Sequence, residues 1–135
     1  MAVNTIDHVN IRSAHMAETI AFYADMLEMT VSAPPSQSDM AFGAWIISDD
    51  GRSIIHVNPW RDEDDFLGES DRIGATLKGS GRIHHIALDC SGYDSVKARL
   101  EAGGHRLRFN SVPELGLRQI FVNDPNDILV ELNFR

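Results

Sequence analysis

The sequence has a single cysteine, Cys90, among its 135 residues. An internal disulfide is therefore excluded, and a lone thiol fits the reducing interior of a cell. No apolar run is long enough for a membrane-spanning helix, and residues 1–4 lack the basic and apolar regions of a signal peptide. We therefore expect a soluble cytoplasmic protein with no membrane partner, in which Cys90 is a small buried residue near a strand end.

Positive charge is also scarce. Lys and Arg total 12 against 20 Asp and Glu, which gives a formal net charge of −8. Because nucleic-acid binding depends on Lys and Arg that neutralise phosphates, this balance argues against a nucleic-acid partner. It does not exclude a charged small ligand, since local charge decides the potential of a pocket. Four arginines lie on or near predicted strands, where each either binds a ligand or belongs to a solvent-exposed strand face: Arg52, Arg106, Arg108 and Arg118.

One pattern of residues occurs twice along the chain. The segment Ile6-Asp7-His8-Val9 corresponds to Ile83-His84-His85-Ile86, and residues 49–56 correspond to 124–131 at nearly the same offset. Two copies of so long a unit indicate a duplicated module, since solenoids need three or more stacked repeats. The chain length fits one domain, 1–135, built from both copies.

Each module is predicted to form one strand, one helix and three further strands. Alternating apolar residues define the strands, and apolar residues three or four apart define the helices. The first module (5–58) has predicted strands at 5–12, 29–33, 42–48 and 52–58, and a helix that Ser13 caps and that runs to about Leu27. The second (82–135) has predicted strands at 82–89, 105–110, 117–122 and 128–134, and a helix from residue 93 or 94 to the Gly103-Gly104 pair. The segment 59–81 has no counterpart in the repeat, and we interpret it as an acidic connector.

Four residues that suit metal binding occupy equivalent positions in the two modules. His8 and His85 hold one position, and His56 and Glu131 hold the other. Side chains alternate between the faces of a strand, so these four residues can point into one groove if the modules pack around a pseudo-twofold axis. The same alternation sends His84 to the opposite face, so we predict that it is not a ligand. His15 and His105 are predicted to be exposed.

Imidazole and carboxylate ligands together suit divalent ions such as Fe²⁺, Mn²⁺, Co²⁺, Ni²⁺ or Zn²⁺. Four protein ligands on an octahedral ion leave two positions free. A substrate with two neighbouring oxygens could occupy both of them. The sequence therefore predicts a metal site that holds a chelating small molecule.

The chain resembles the vicinal oxygen chelate superfamily, which includes glyoxalase I, methylmalonyl-CoA epimerase, extradiol dioxygenases and the fosfomycin-resistance and bleomycin-binding proteins. The resemblance rests on four segments: 6–9, 22–27, 84–88 and 124–132. It implies an α+β fold of two βαβββ modules whose curved mixed sheets enclose a metal groove, often in a homodimer. The superfamily's ligand positions fall on His8, His56, His85 and Glu131. Two positions depart from its pattern, because Glu28 and Asp127 stand where glycine is usual.

His56 stands where glyoxalase I typically carries a carboxylate that acts as a base. Three neutral imidazoles and one carboxylate leave a divalent ion with a net positive charge, which favours an anionic chelate such as a catecholate. This favours an extradiol-type dioxygenase with Fe²⁺ on His8, His85 and Glu131, and with His56 as a fourth ligand or as a catalytic acid and base. Against it, Arg118, Gln119 and Phe121 occupy the region where such enzymes carry a His and a Tyr.

Two other functions stay open. A glyoxalase-like lyase or an epimerase would need a base that the sequence does not clearly offer if His56 binds the metal. A drug-binding protein without catalysis would not need the intact ligand set. We predict that Phe42, Trp45, Trp60 and Arg118 contact the substrate, although the three aromatic residues also suit a core. The sequence does not decide whether one chain or a dimer supplies the four ligands.

Overall fold

The structure, a computed structural model, describes residues 5–35, 37–60, 83 and 85–135. The chain divides into two compact units, Met1–Leu77 and Lys78–Arg135. Each unit contains one four-stranded mixed sheet, which confirms the predicted α+β class with two βαβββ modules. Most of the predicted connector, and His84, lie outside the described residues. The single domain and the pseudo-twofold axis stay predictions.

The first unit follows the predicted order of elements. These are β1 (Val9–Ser13), α1 (Met16–Ala21), β2 (Thr30–Ser32), β3 (Ala44–Ile47) and β4 (Ser53–Pro59). A π-helical segment, Phe22–Met26, continues α1. The strand order across the sheet is β1-β4-β3-β2, with β1 parallel to β4 and the other pairs antiparallel.

The second unit repeats this topology. It contains β5 (Ile86–Cys90), α2 (Tyr93–Ala102), β6 (Arg108–Val112), β7 (Leu117–Asn123) and β8 (Leu129–Phe134). The strand order is β5-β8-β7-β6, again with only the first pair parallel. Asp124 closes the turn between β7 and β8, because its carboxylate accepts hydrogen bonds from the backbone N–H groups of Asn126 and Ile128. Over the described residues, no helix is long and apolar enough to cross a membrane.

The start of α1 differs from the prediction. Ser13 is the last residue of β1, where it pairs with Pro59, so its backbone is extended and the N-cap is His15. The Ser13 hydroxyl still accepts a hydrogen bond from the His15 N–H at 2.9 Å. The predicted exposure of His15 and His105 was wrong, since both are half-buried.

One face of each sheet forms the core of its unit. In the first unit Ile46, Ile55 and Val57 are buried, and in the second Ile120 and Leu132 are fully buried register partners. The Tyr93 ring of α2 meets Phe134 edge-on at 5.2 Å, which places the helix on this buried face. The alternate residues of the same strands lie on the opposite face, and these include His56 and Glu131.

Candidate metal centre

His8 and His56 form a pair on one face of the first sheet. His56 pairs with Asn10, and His8 precedes Asn10 by two residues, so both histidines lie on the same face. Their rings stack with centroids 3.9 Å apart. Asp7 Oδ2 lies 2.6 Å from His8 Nδ1. The proton that this contact needs on Nδ1 leaves Nε2 as the nitrogen that could bind a metal.

Trp45 also stacks on His56, with ring centroids 4.7 Å apart and an interplanar angle of 5°. Burial lowers the pKa of His56, and the neighbouring charge of His8 lowers it further, whereas Asp7 raises it. Both main causes disfavour the imidazolium form. His56 is thereby held towards the neutral state, which is the form that binds metals or accepts a proton.

A pocket of about 320 Å³ opens beside this pair. Its lining includes Asp7, Trp45, Arg52, Ser53 and His56. The hydroxyl of Ser53 is buried and has no hydrogen-bond partner in the part of the chain that the structure describes. The volume lies at the lower end of the range for small-molecule sites, so the pocket suits a compact ligand.

His85 and Glu131 form the corresponding pair in the second unit. Glu131 pairs with Ala87, and His85 precedes Ala87 by two residues, which repeats the register of the first unit. His85 Nε2 lies 3.2 Å from Glu131 Oε2. Two ligand atoms at right angles on one first-row ion lie about 3 Å apart, so the pair suits a shared metal.

Gln119 is a functional candidate that the sequence analysis missed. Its Nε2 donates to Glu131 Oε1 at 2.7 Å and to Asn133 Oδ1 at 2.9 Å, and its Oε1 accepts from Asn110 Nδ2 at 2.6 Å. Gln119 is only 9% exposed. The amide network fixes one carboxylate oxygen of Glu131 and leaves the other towards His85. Strand pairing was the missing signal, because it brings together side chains from three different strands that lie 9 to 14 positions apart in the sequence.

The four residues predicted to contact the substrate lie in different environments. Trp45 lines the pocket with His56, whereas Phe42 is 66% exposed and Trp60 is half-buried beside the end of β1. Arg118 pairs with Phe134 on the buried face, and its guanidinium lies 4.0 Å from the Tyr93 ring centroid. Strand alternation therefore places Arg118 on the opposite face from Glu131, away from the proposed ligands.

The structure thus places the predicted ligands in two pairs, one within each unit. Among the described residues, no three His, Cys, Asp or Glu side chains form a group that could hold a metal ion. The complete four-ligand site stays a prediction. The donors of each pair nevertheless suit a divalent metal by type, and Asp7 and Gln119 contact them as supporting groups do in metal sites.

Comparison with known sequences places the chain in a family. The sequence model of the Glyoxalase/Bleomycin resistance protein/Dioxygenase superfamily matches residues 5–132. The chain belongs to this superfamily. Its members share the fold but not one reaction, so membership alone does not decide the activity. No curated protein sequence matches the chain significantly.

Solved structures agree with this glyoxalase-superfamily fold. A putative glyoxalase family protein from Bacillus anthracis is 19% identical, with a TM-score of 0.70 over 100% of this chain and 98% of that one. A lactoylglutathione lyase from Agrobacterium tumefaciens is 17% identical, with a TM-score of 0.65 and coverage of 99% and 96%. The fosfomycin resistance protein FosX from Mesorhizobium loti is 12% identical, with a TM-score of 0.66 and coverage of 98% and 93%. At these identities the likeness shows the fold alone.

Proposed function

We propose that this superfamily member is a divalent-metal enzyme that acts on a small substrate through two neighbouring oxygens. The proposed ligands are His8 and His56 from the first unit and His85 and Glu131 from the second. The observation that carries the proposal is the repeated register, in which each unit holds a ligand pair on the same face of its sheet. Either one chain or the two chains of a homodimer would supply both pairs.

The residues around each pair would orient its donor atoms. Asp7 holds the Nδ1 side of His8, and Gln119 holds one oxygen of Glu131, so the remaining donor atoms are directed away from these contacts. The bound ion would supply a Lewis acid for both substrate oxygens, and Fe²⁺ would add the electron transfer that a dioxygenase requires. Fe²⁺ is the favoured metal, with Mn²⁺, Ni²⁺, Co²⁺ and Zn²⁺ as alternatives.

Among the reactions of the superfamily, we favour ring cleavage of a catechol by an extradiol-type dioxygenase. The flat Trp45 ring beside His56 forms a wall suited to an aromatic substrate. A ligand set with one carboxylate leaves positive charge on the metal, which favours a catecholate. His56 would be the fourth ligand, or it would exchange a proton with the substrate in its neutral form.

A glyoxalase-like lyase or an epimerase is the second candidate. One observation favours it. Gln119 and Phe121 lie on the face of β7 that adjoins Glu131, and neither side chain can exchange protons at neutral pH. In this reaction His56 would leave the metal and serve as the base. A binding protein without catalysis is less favoured, because neither ligand pair would then be needed.

The experiment that tests the proposal is metal analysis of the purified protein, followed by anaerobic loading with Fe²⁺ and addition of catechols and oxygen. We expect bound metal, oxygen uptake and a yellow ring-cleavage product. His8→Ala and Glu131→Ala should each lower the metal content, whereas His105→Ala, outside both pairs, should not. Light scattering of the same samples would test the proposed homodimer.

Two results would overturn parts of this proposal. Unchanged metal content in both His8→Ala and Glu131→Ala would place the site elsewhere. Turnover of a hemithioacetal or an acyl-CoA with Ni²⁺ or Co²⁺, without oxygen uptake for any catechol, would exclude the dioxygenase and support the lyase or epimerase.

A further inference from the structure

A second pocket, of about 630 Å³, lies on the sheet of the second unit. We call it the arginine pocket, and its lining residues are Arg106, Leu107, Arg108, Phe121, Asn123 and Leu129. Its volume is within the range of small-molecule sites. Neither the repeat nor the predicted ligand set assigns it a role.

The arginine pocket shares a face with Glu131. Phe121 is the register partner of Glu131, and Arg108 is the register partner of Phe121. These three residues therefore form a row across neighbouring strands on one face of the sheet. A ligand in the pocket would lie two strands from Glu131, which is a distance that a small organic molecule can span.

Among the described residues, the lining of the pocket has positive charge and no carboxylate. Within the part of the chain that the structure describes, neither Arg106 nor Arg108 forms an ion pair, and the Arg108 guanidinium lies 5.1 Å from the Phe121 ring centroid. Two guanidinium groups in a concave site of an acidic chain attract an anion by local potential. The planar guanidinium matches the two oxygens of a carboxylate.

Apart from Asn123, the other lining residues are apolar, namely Leu107, Phe121 and Leu129. A small inorganic anion would leave this apolar surface uncovered. A carboxylate on an apolar, planar body would pair with the arginines and cover Phe121 at the same time.

We propose that the arginine pocket binds the carboxylate end of an organic ligand with an apolar, planar body. This deepens the proposed function, and its assignment to the substrate rests on Glu131 belonging to the active site. The substrate would then carry a carboxylate separate from the two oxygens that chelate the metal. Binding of the carboxylate end requires only the second unit's own residues and no metal.

The test uses the full-length, metal-free protein and the probes phenylacetate and phenylacetamide, which have the same size but differ in charge. Titrations followed by amide chemical shifts should show phenylacetate binding about 10-fold more tightly, with the largest shifts at residues 106–108 and 121–123. Added salt should weaken phenylacetate binding, because the arginines are exposed. The comparison of the two probes uses the wild-type protein, so it does not depend on the folding of a variant.

Two variants then test whether Arg106 and Arg108 supply the positive charge that binds the carboxylate. Arg106→Gln and Arg108→Gln should each weaken phenylacetate binding about 10-fold. Arg135→Gln is the matched control, because it removes the same charge from the same unit but from an arginine that already pairs with Asp89 at 2.7 Å. This control should bind phenylacetate like the wild type.

Equal affinity for phenylacetate and phenylacetamide would overturn the proposal. So would wild-type affinity in both arginine variants, or binding of phenyl phosphate without binding of phenylacetate. Since no metal is present, these results are independent of the metal content of His8→Ala and Glu131→Ala. A result that contradicts the metal site would not contradict the carboxylate pocket. Equally, a result that contradicts the carboxylate pocket would not contradict the metal site.

Discussion

Gln119 donates a hydrogen bond to Glu131 Oε1 across 2.7 Å, while the second carboxylate oxygen of Glu131 lies 3.2 Å from His85. The amide therefore orients the carboxylate so that its two oxygens have different neighbours. Groups that fix a metal ligand in this way affect metal affinity although they do not touch the metal.

Gln119→Met should lower metal affinity about 10- to 100-fold, because it keeps the side-chain size but removes the donor to Glu131. The measurement is competition with a chelator of known affinity. Asn110→Ala is the graded control, since Asn110 contacts Gln119 and not Glu131, and it should have a smaller effect. Equal affinities in the wild type and Gln119→Met would show that the amide has no role at the metal.

The backbone at position 28 should favour glycine over alanine. Its φ angle is +55°, in the left-handed region that costs a residue with a Cβ about 1 kcal/mol or more. Glu28→Gly should therefore be more stable than Glu28→Ala by about 1 kcal/mol, measured by urea unfolding. Both variants remove the same carboxylate, so their difference isolates the backbone. Equal stability would mean that the turn adapts to a side chain.

Leu132→Ala should lower the free energy of unfolding by about 2–5 kcal/mol, because Leu132 is fully buried opposite Ile120 in the second sheet. Leu115→Ala is the matched control. Leu115 is 67% exposed, so its loss should change stability by about 0.5 kcal/mol or less. Similar losses in both variants would contradict the assignment of the core to this face.

Cys90 should be a poor nucleophile in the folded protein. Burial raises the pKa of its thiol to about 11, assisted by the charge of Asp89 and opposed by a hydrogen bond from the Asn133 backbone. Since the ordinary value is 9.0, the thiolate population at pH 8 is about 100-fold smaller than in the unfolded chain. Alkylation by iodoacetamide should be slower by about that factor and should accelerate as the pH rises. Equal rates in buffer and in denaturant would contradict the shift.

The order of elements could be predicted because each depends on nearby residues. Alternation along β4 and β8 and the positive-φ glycine after α2 are local features, so the strands and helices occur where expected to within a few residues. The departures from glycine at Glu28 and Asp127 were also visible, and both residues adopt a positive φ, the conformation that favours glycine.

Contacts between strands could not be predicted in the same way. The N-cap at His15 depends on Ser13 pairing with Pro59, and the position of Arg118 depends on its pairing with Phe134. Each of these contacts joins residues far apart in the sequence. A local sequence pattern does not specify which distant residue will be the strand-pairing partner.

The sequence by itself determined the two modules, their element order and the face of each strand that carries His8, His56, His85 and Glu131, because duplication and alternation are properties of the chain. Only the tertiary structure decided that Gln119 holds Glu131, that Trp45 stacks on His56 and that Arg108 and Phe121 share a pocket. Register and side-chain packing bring these groups together, and both are settled by burial of the opposite face of each sheet.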